Sequence, residues 1–201
     1  MSTDGVDLSK RRFLTAATTV VGGVGVVYAA VPFFQSFWPN AQAEAAGMPV
    51  EVDVGKLEVG QMVTVEWRGS PVWIVRRSEE HLEGLEEVRD KLRDPDSEVE
   101  QQPPYAQNPM RSIKPEYMVL VGICTHLGCS PTFRPEIAAE SMGPDWRGGF
   151  FCPCHGSFFD IAGRVYSGVP APTNLEVPPH YYLTETTILV GEDEPAEEGA
   201  A

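Results

Sequence analysis

The sequence predicts an all-β domain, an antiparallel β-sandwich head, preceded by one N-terminal transmembrane helix. Short runs of β-branched and aromatic residues recur along the chain and are cut by glycine, proline or asparagine, which is typical of strands joined by turns. Glycine and proline number 19 and 18 among 201 residues, which favours many short strands over a helical bundle. One long uncharged segment near the N-terminus departs from this pattern.

That uncharged segment extends from Phe13 to Ala43. Residues 16–37 alone would be about 33 Å long as a helix, which is enough to cross a bilayer. The basic run Lys10, Arg11 and Arg12 stands directly before it. The positive-inside rule then leaves the N-terminus in the cytoplasm and exports the rest of the chain. We therefore predict a single-pass anchor.

A cleaved signal peptide is the alternative for this segment. Ala-Gln-Ala at residues 41–43 fits a cleavage site, but the apolar run is roughly twice the usual ~7–15 residues of such a peptide. The stretch SKRRFL resembles a twin-arginine export signal, with Lys10 in place of the first arginine. Because that route carries folded proteins, it suggests that a cofactor is loaded in the cytoplasm.

The exported part is divided by composition. Residues after the anchor are small and polar, as in a flexible tether, and the acidic C-terminal end lacks aromatic residues, as in a disordered tail. The five predicted parts are a cytoplasmic N-terminus, a transmembrane anchor, a flexible hinge, the β-rich head and the disordered tail, at 1–12, 13–38, 39–49, 50–191 and 192–201.

Nine runs in the head are predicted to be strands, at 49–54, 62–67, 71–77, 117–123, 148–152, 157–161, 164–168, 175–185 and 187–192. One helix interrupts them, since Ser78 can cap a segment with leucine or valine at helical spacing that ends before Pro95. Residues 95–116 are predicted to form a long surface loop. The formal net charge of -14 would repel phosphate backbones, which argues against a nucleic-acid partner.

Two motifs carry the chemistry, CTHLGC at residues 124–129 and CPCHGS at residues 152–157. They offer six soft ligands where a structural zinc site uses four: Cys124, His126, Cys129, Cys152, Cys154 and His155. If each motif gives one cysteine and one histidine to a metal centre, one cysteine per motif is left over. Two such cysteines could pair in an oxidising compartment. A membrane-anchored zinc-binding structural module remains the rival from another class.

Cys-x-His-x-x-Cys followed by Cys-x-Cys-His resembles the Rieske iron-sulfur proteins, in which one iron is bound by two cysteines and the other by two histidines. The resemblance implies a Rieske-type head with one [2Fe-2S] cluster, bound within about residues 120–174. It also implies a disulfide between the two remaining cysteines. By position, the thiolate ligands are Cys124 and Cys152, the imidazole ligands His126 and His155, and the disulfide pair Cys129 and Cys154.

The ligand types explain the expected redox behaviour. Two thiolates and two neutral imidazoles leave the oxidised core uncharged, so adding an electron is easier than with four thiolates. Such centres lie at ~-150 to +300 mV, against ~-400 mV for the plant-type centres with four cysteines. The non-ligating nitrogen of each imidazole binds a proton more tightly after reduction, which couples electron uptake to proton uptake.

The resemblance also assigns roles to neighbouring residues. Glycines in both motifs would let backbone N–H groups approach the sulfides, Pro153 would stiffen the second loop, and Ser157 would donate a hydrogen bond to a bridging sulfide. The stretch GVPAPTNLEV, which includes Pro170, resembles the proline loop that covers the cluster. Phe159 stands where high-potential members commonly have a tyrosine, so we expect a lower potential and leave open ubiquinol or menaquinol as donor. The glycines are Gly128 and Gly156.

The order of anchor, tether, head and motifs resembles the Rieske subunit of a respiratory quinol:cytochrome c reductase, part of an enzyme rather than an enzyme alone. The resemblance implies cytochrome b and a c-type cytochrome as partners in a dimeric complex of the bacterial inner membrane, with the head in the periplasm. His155 matches the histidine that contacts quinol and accepts its proton, and Leu127 packs beside it. The Rieske small subunit of a periplasmic molybdenum oxidase, such as arsenite oxidase, is the alternative. His81 and His180 are predicted to be structural.

Overall fold

The computed structural model describes Gly5 and residues 7–195. The chain divides into two compact units, Met1–Ala45 and Ala46–Ala201, and each is described by itself. Most of the predicted disordered tail at 192–201 lies outside the described residues.

The first unit contains one long helix, α1, from Leu8 to Gln35. The carboxylate of Asp7 caps it, accepting hydrogen bonds from the backbone N–H groups of Ser9 and Lys10 at 3.0 and 3.1 Å. The helix is long and apolar enough to cross a membrane, with a mean hydropathy of 1.8 over its most apolar window. It begins before the predicted anchor and includes the basic run. A second, short helix, α2, spans Ala41–Ala46 within the predicted hinge.

The head contains nine strands in three antiparallel sheets of three strands each. The strands are β1 Val50–Asp53, β2 Met62–Trp67, β3 Ser70–Arg76, β4 Tyr117–Val121, β5 Thr132–Ile137, β6 Arg147–Cys152, β7 Ser157–Asp160, β8 His180–Tyr182 and β9 Thr187–Val190. The order is β1-β9-β8 in the outer sheet, β2-β3-β4 in the central sheet and β5-β6-β7 in the ligand sheet.

Strands β3 and β4 of the central sheet are buried on both faces, because they carry apolar side chains at four of their five paired positions. On one face, Val72, Ile74 and Val119 pack against valine and isoleucine side chains of the outer sheet, and we call this cluster the base core. On the other face, Trp73 and Leu120 pack against the ligand sheet. Strands with alternating exposure need only one apolar face, whereas these need two. The central sheet therefore joins the base of the head to the ligand sheet.

The predicted helix is confirmed at its start and is shorter than predicted at its end. Helix α3 spans Glu79–Glu87, and Ser78 caps it, its hydroxyl accepting from the His81 N–H at 3.1 Å. A 3-10 turn over Arg89–Lys91 follows, so Leu92 lies beyond the helix, where it bridges to Tyr166.

One strand prediction is wrong, one strand was not predicted and one is much shorter than predicted. Residues 164–168 form only isolated bridges, Phe159 to Val165 and Leu92 to Tyr166. The strand that was not predicted is β5, which spans Thr132–Ile137 although it contains Pro135. Proline is tolerated there because β5 is an edge strand whose register with β6 shifts between Arg134 and Ile137. Of the predicted run 175–185, only His180–Tyr182 is a strand.

Candidate metal centre

The two motifs form turns of the same kind at one end of the ligand sheet. In the first, the N–H of Gly128 donates to the Cys124 carbonyl at 3.0 Å; in the second, the N–H of Gly156 donates to the Cys152 carbonyl at 3.0 Å. Both glycines have positive φ, 81° and 76°, a conformation that costs other residues free energy. The amides of these two glycines are therefore used inside the turns. Each turn places its first cysteine at the end of a segment that is buried in the core.

The first cysteine of each turn is a buried, free thiol. Cys124 and Cys152 are 2% and 1% exposed. Burial raises the pKa of the Cys124 thiol above its ordinary value. The thiol is therefore neutral in the protein alone, and metal binding must displace its proton.

The two histidines of the motifs lie side by side. The rings of His126 and His155 are 4.7 Å apart between centroids and perpendicular to each other. His126 is half-buried, and its Nδ1 is buried without a hydrogen-bond partner among the described residues. A buried nitrogen left unpaired costs free energy unless it binds something else. The ring of His155 is exposed.

The other two cysteines form the predicted disulfide, Cys129–Cys154, which joins the two turns. Three sulfur atoms, those of Cys129, Cys152 and Cys154, lie within 4.8 Å of one another. Two of these are consumed by the disulfide, so only Cys152 of the three can bind iron as a thiolate. The six soft side chains thus separate into one disulfide and a set of two thiols and two imidazoles, which fits the donor chemistry of a Rieske-type [2Fe-2S] cluster.

The predicted proline loop, residues 168–177, is held against the two turns by side chains. The Ser157 hydroxyl accepts a hydrogen bond from the Ala171 N–H at 3.1 Å, which leaves its own proton free to donate. The Thr125 hydroxyl donates to the Thr173 carbonyl at 2.7 Å. Ala171 is fully buried while Pro170, the residue predicted to cover the site, is exposed.

Sequence reasoning did not identify three residues that hold this region: Thr125, Arg93 and Asn174. Thr125 stands inside the first motif and could have been suspected from that position. Arg93 and Asn174 lie outside both motifs and bond to residues at least nine positions away. No local pattern marks Arg93, whereas Asn174 stands inside the predicted proline loop.

The remaining predicted positions are distributed as follows. Leu127, which follows His126 in sequence, is 72% exposed, and Pro153 is exposed. Phe159 is fully buried in the same apolar cluster as the two free cysteines. His81 and His180 lie elsewhere: the first bonds the Pro135 carbonyl and the second the Pro178 carbonyl.

Charge is absent from the three segments that build this end of the head. Residues 122–133, 148–159 and 165–175, which we call the tip, contain no Asp, Glu, Lys or Arg, in a chain of net charge -14. Its exposed residues include Leu127, three prolines and His155. A neutral, partly apolar surface of this kind can be desolvated against a partner at little electrostatic cost.

Comparisons with known proteins agree with this geometry. The Rieske [2Fe-2S] domain family matches residues 48–179, and a family described as "Ubiquitinol-cytochrome C reductase Fe-S subunit TAT signal" matches residues 1–40. The ubiquinol-cytochrome c reductase iron-sulfur subunit of Allochromatium vinosum is 61% identical over 96% of this chain and 93% of its own length.

Two further curated relatives with the same name are more distant. The Rhodospirillum rubrum protein is 41% identical over 94% of this chain and 96% of its own length. The Blastochloris viridis protein is 39% identical over 94% of this chain and 97% of its own length. These matches confirm the predicted Rieske-type all-β head and its [2Fe-2S] cofactor. The chain belongs to the family of Rieske [2Fe-2S] iron-sulfur subunits of ubiquinol-cytochrome c reductase.

Proposed function

We propose that the protein is the electron-transfer subunit of a membrane-bound respiratory quinol:cytochrome c oxidoreductase. Its head takes an electron and a proton from quinol and passes the electron to a c-type cytochrome. The observation that carries this proposal is the tip itself, where two adjacent imidazoles lie at an uncharged surface above two buried thiols. Family membership supports it.

Four side chains would hold the cluster. Cys124 and Cys152 would bind one iron as thiolates, and His126 and His155 would bind the other. The buried, unpaired Nδ1 of His126 supports a ligand role for that nitrogen. When bound, the cluster supplies one-electron acceptance at a potential raised by its neutral imidazole ligands.

His155 is the residue suited to meet quinol, because its ring is exposed while that of His126 is half-buried. Its non-ligating nitrogen would accept a hydrogen bond from the quinol hydroxyl and then hold the proton. Leu127, 72% exposed, would exclude water at the contact. The chain has no Cys-x-x-Cys-His motif for haem, so the proposal requires cytochrome b and c-type cytochrome partners.

The uncharged tip supports transient docking. A head that must leave one partner and reach another cannot bind the first through a set of buried ion pairs, since these are costly to separate. A small neutral contact avoids that cost. We propose that the tip docks on the cytochrome b surface, within a dimeric complex, and swings away on the hinge at 39–49.

The N-terminal unit would fix the protein in the bacterial inner membrane. Helix α1 would cross it with Lys10, Arg11 and Arg12 on the cytoplasmic side, which leaves the head in the periplasm. The match of residues 1–40 to an export-signal family supports translocation of the head. An oxidising periplasm is also consistent with the disulfide.

The two alternatives gain no support. The zinc-binding module is not supported, because the chain matches the Rieske [2Fe-2S] domain family. Two of the six soft side chains also form a disulfide and are not available to a metal. The molybdenum-oxidase alternative is not favoured, since the relatives described above carry the name of the reductase subunit.

The test is a redox titration of membranes containing the full-length protein, monitored by electron paramagnetic resonance. We expect a Rieske-type signal that appears on reduction by quinol and copurification with cytochrome b. A midpoint near or below zero millivolts would identify a menaquinol-type donor, and a higher one ubiquinol. Stoichiometric zinc without a paramagnetic signal would contradict the iron-sulfur assignment. A Rieske signal without cytochrome b would contradict the reductase assignment.

A further inference from the structure

The proline loop cannot be held by a regular hydrogen-bond ladder. Pro170 and Pro172 have no N–H, so Ala171 supplies the sole backbone donor between them. Carbonyl groups on such a segment need donors from elsewhere. The loop's conformation therefore depends on the side chains that surround it.

Arg93 supplies donors to this loop from outside the motifs. Its Nη2 donates to the Val169 carbonyl at 3.1 Å, and its Nη1 to the Pro172 carbonyl at 3.4 Å. The two carbonyls lie on either side of Ala171, whose N–H bonds Ser157. A planar guanidinium can bond two carbonyls at once, which a single ammonium cannot do with the same geometry.

The backbone around Arg93 is itself fixed to the start of the loop. The Arg93 N–H donates to the Val165 carbonyl at 2.9 Å, and the Ser167 N–H donates to the Lys91 carbonyl at 2.8 Å. Immediately after it, the Asp94 carbonyl accepts from the buried amide of Asn174 at 3.0 Å. The guanidinium thus reaches the loop from a segment that is anchored at both sides.

We propose that Arg93 is a positioning residue for the cluster, which holds the proline loop closed over the two turns and so limits the access of water to the metal centre. The inference rests on the proposed function, because it requires that the turns hold the cluster. Arg93 is exposed and outside both apolar cores, so its replacement removes the two loop contacts without opening a cavity.

The test compares three variants of the full-length protein in membranes. Arg93→Gln removes both contacts, and Arg93→Lys keeps the charge with one contact at most. Arg134→Gln is the matched control: it removes one exposed positive charge from β5 in the ligand sheet, and its guanidinium has no hydrogen bond within the described residues.

Two readouts are measured on each variant. The first is the rate at which a ferrous-iron chelator removes iron from the reduced protein, which reports opening of the loop. The second is the thermal unfolding of the head, followed by circular dichroism. We expect iron loss about tenfold faster in Arg93→Gln, an intermediate rate in Arg93→Lys and the original rate in Arg134→Gln, because local opening is cheaper once both contacts are gone. The unfolding temperature should change little in all three.

Three results would overturn the proposal. Iron loss from Arg93→Gln at the original rate would show that the loop is held without Arg93. Equal acceleration in Arg134→Gln would assign the effect to charge. A parallel fall in unfolding temperature that Arg93→Lys does not relieve would assign it to general stability. Failure of the proposed function is distinct: the unaltered protein would then lack the Rieske signal.

Discussion

The base core and the tip of the same head are stabilised by different forces. The base core consists mainly of apolar side chains from the outer and central sheets, and among them Ile74 and Ile188 are inaccessible to solvent. The tip combines the ends of β5, β6 and β7 with two short turns and the proline loop. Burial of apolar area, at about 25 cal/mol per Å², stabilises the base core and also the apolar cluster under the tip. It does not stabilise the exposed residues of the turns and the proline loop, such as Leu127, Pro153 and Pro170.

Buried polar side chains support the tip from beneath. Asp160, at the end of β7, pairs with Arg164 at 2.7 Å with both side chains 1% exposed. Arg111, fully buried, donates to the carbonyls of Ala162 and Leu175 at 3.0 and 2.8 Å. Each bond ties a loop to a neighbouring segment. The base core therefore depends on its hydrophobic pattern, whereas the tip depends on specific long-range polar partners in addition to apolar burial.

The largest test of this difference is Asp160→Asn. The change removes the charge that balances Arg164 and one acceptor oxygen, leaving a buried guanidinium without a counter-charge. We expect a loss of about 3–5 kcal/mol in the free energy of unfolding. Urea unfolding of the full-length protein in detergent measures it from the shift in midpoint.

The matched control is Asp96→Asn, which breaks the exposed pair of Asp96 with Arg89 in the same head. Because solvent screens exposed charges, it should cost no more than about 1 kcal/mol. Equal losses of unfolding free energy in the two variants would contradict the difference between base and tip, since the buried ion pair would then contribute no more than a surface ion pair.

The same difference decides how much could be predicted from sequence. Strands β2, β3 and β4 were predicted because β-branched runs mark them directly. The ligand motifs were predicted because their residue types are unusual. Strand β5 was missed: its sequence, TFRPEI, has little local strand preference and is shaped by pairing with β6. The buried roles of Arg111, Asp160 and Asn174 were missed because their partners are brought near only by the fold.

Phe159→Tyr tests whether a single polar atom in the tip changes the redox property rather than stability. Phe159 is fully buried in the cluster that contains Cys124 and Cys152. A hydroxyl there that donates to a cysteine sulfur stabilises the more negative, reduced state. We expect the midpoint potential to rise by about 40 mV, which corresponds to about 1 kcal/mol for one electron. An EPR-monitored titration measures it.

Phe158→Tyr is the control for this variant. Phe158 is half-buried and packs against Phe151 and Trp146, at 5.0 and 6.2 Å between ring centroids. Its new hydroxyl would point into a separate aromatic group, so the potential should stay where it is. A rise of the same size in both variants would mean that the added polarity acts without a bond to sulfur.

Replacement of His180 is expected to have the smallest effect. It tests the difference between the base and the tip at the base, because His180 is a buried polar residue in the outer sheet. Its ring is 1% exposed and its Nδ1 lies 2.9 Å from the Pro178 carbonyl, so Nδ1–H donates in the neutral ring. Burial lowers the pKa of His180 in the folded state.

The unfolded chain therefore binds a proton at His180 more readily than the folded head, near the ordinary pKa of about 6.5. Stability that is present above that pH is lost as the pH falls through it toward the lower folded pKa. Replacing His180 by Gln removes the titration but keeps a side-chain donor. We expect its urea midpoint to fall less than that of the original protein between pH 7 and pH 5. Parallel pH profiles would show that the outer sheet tolerates a charged imidazole. The base would then not depend on apolar burial as strictly as its composition suggests.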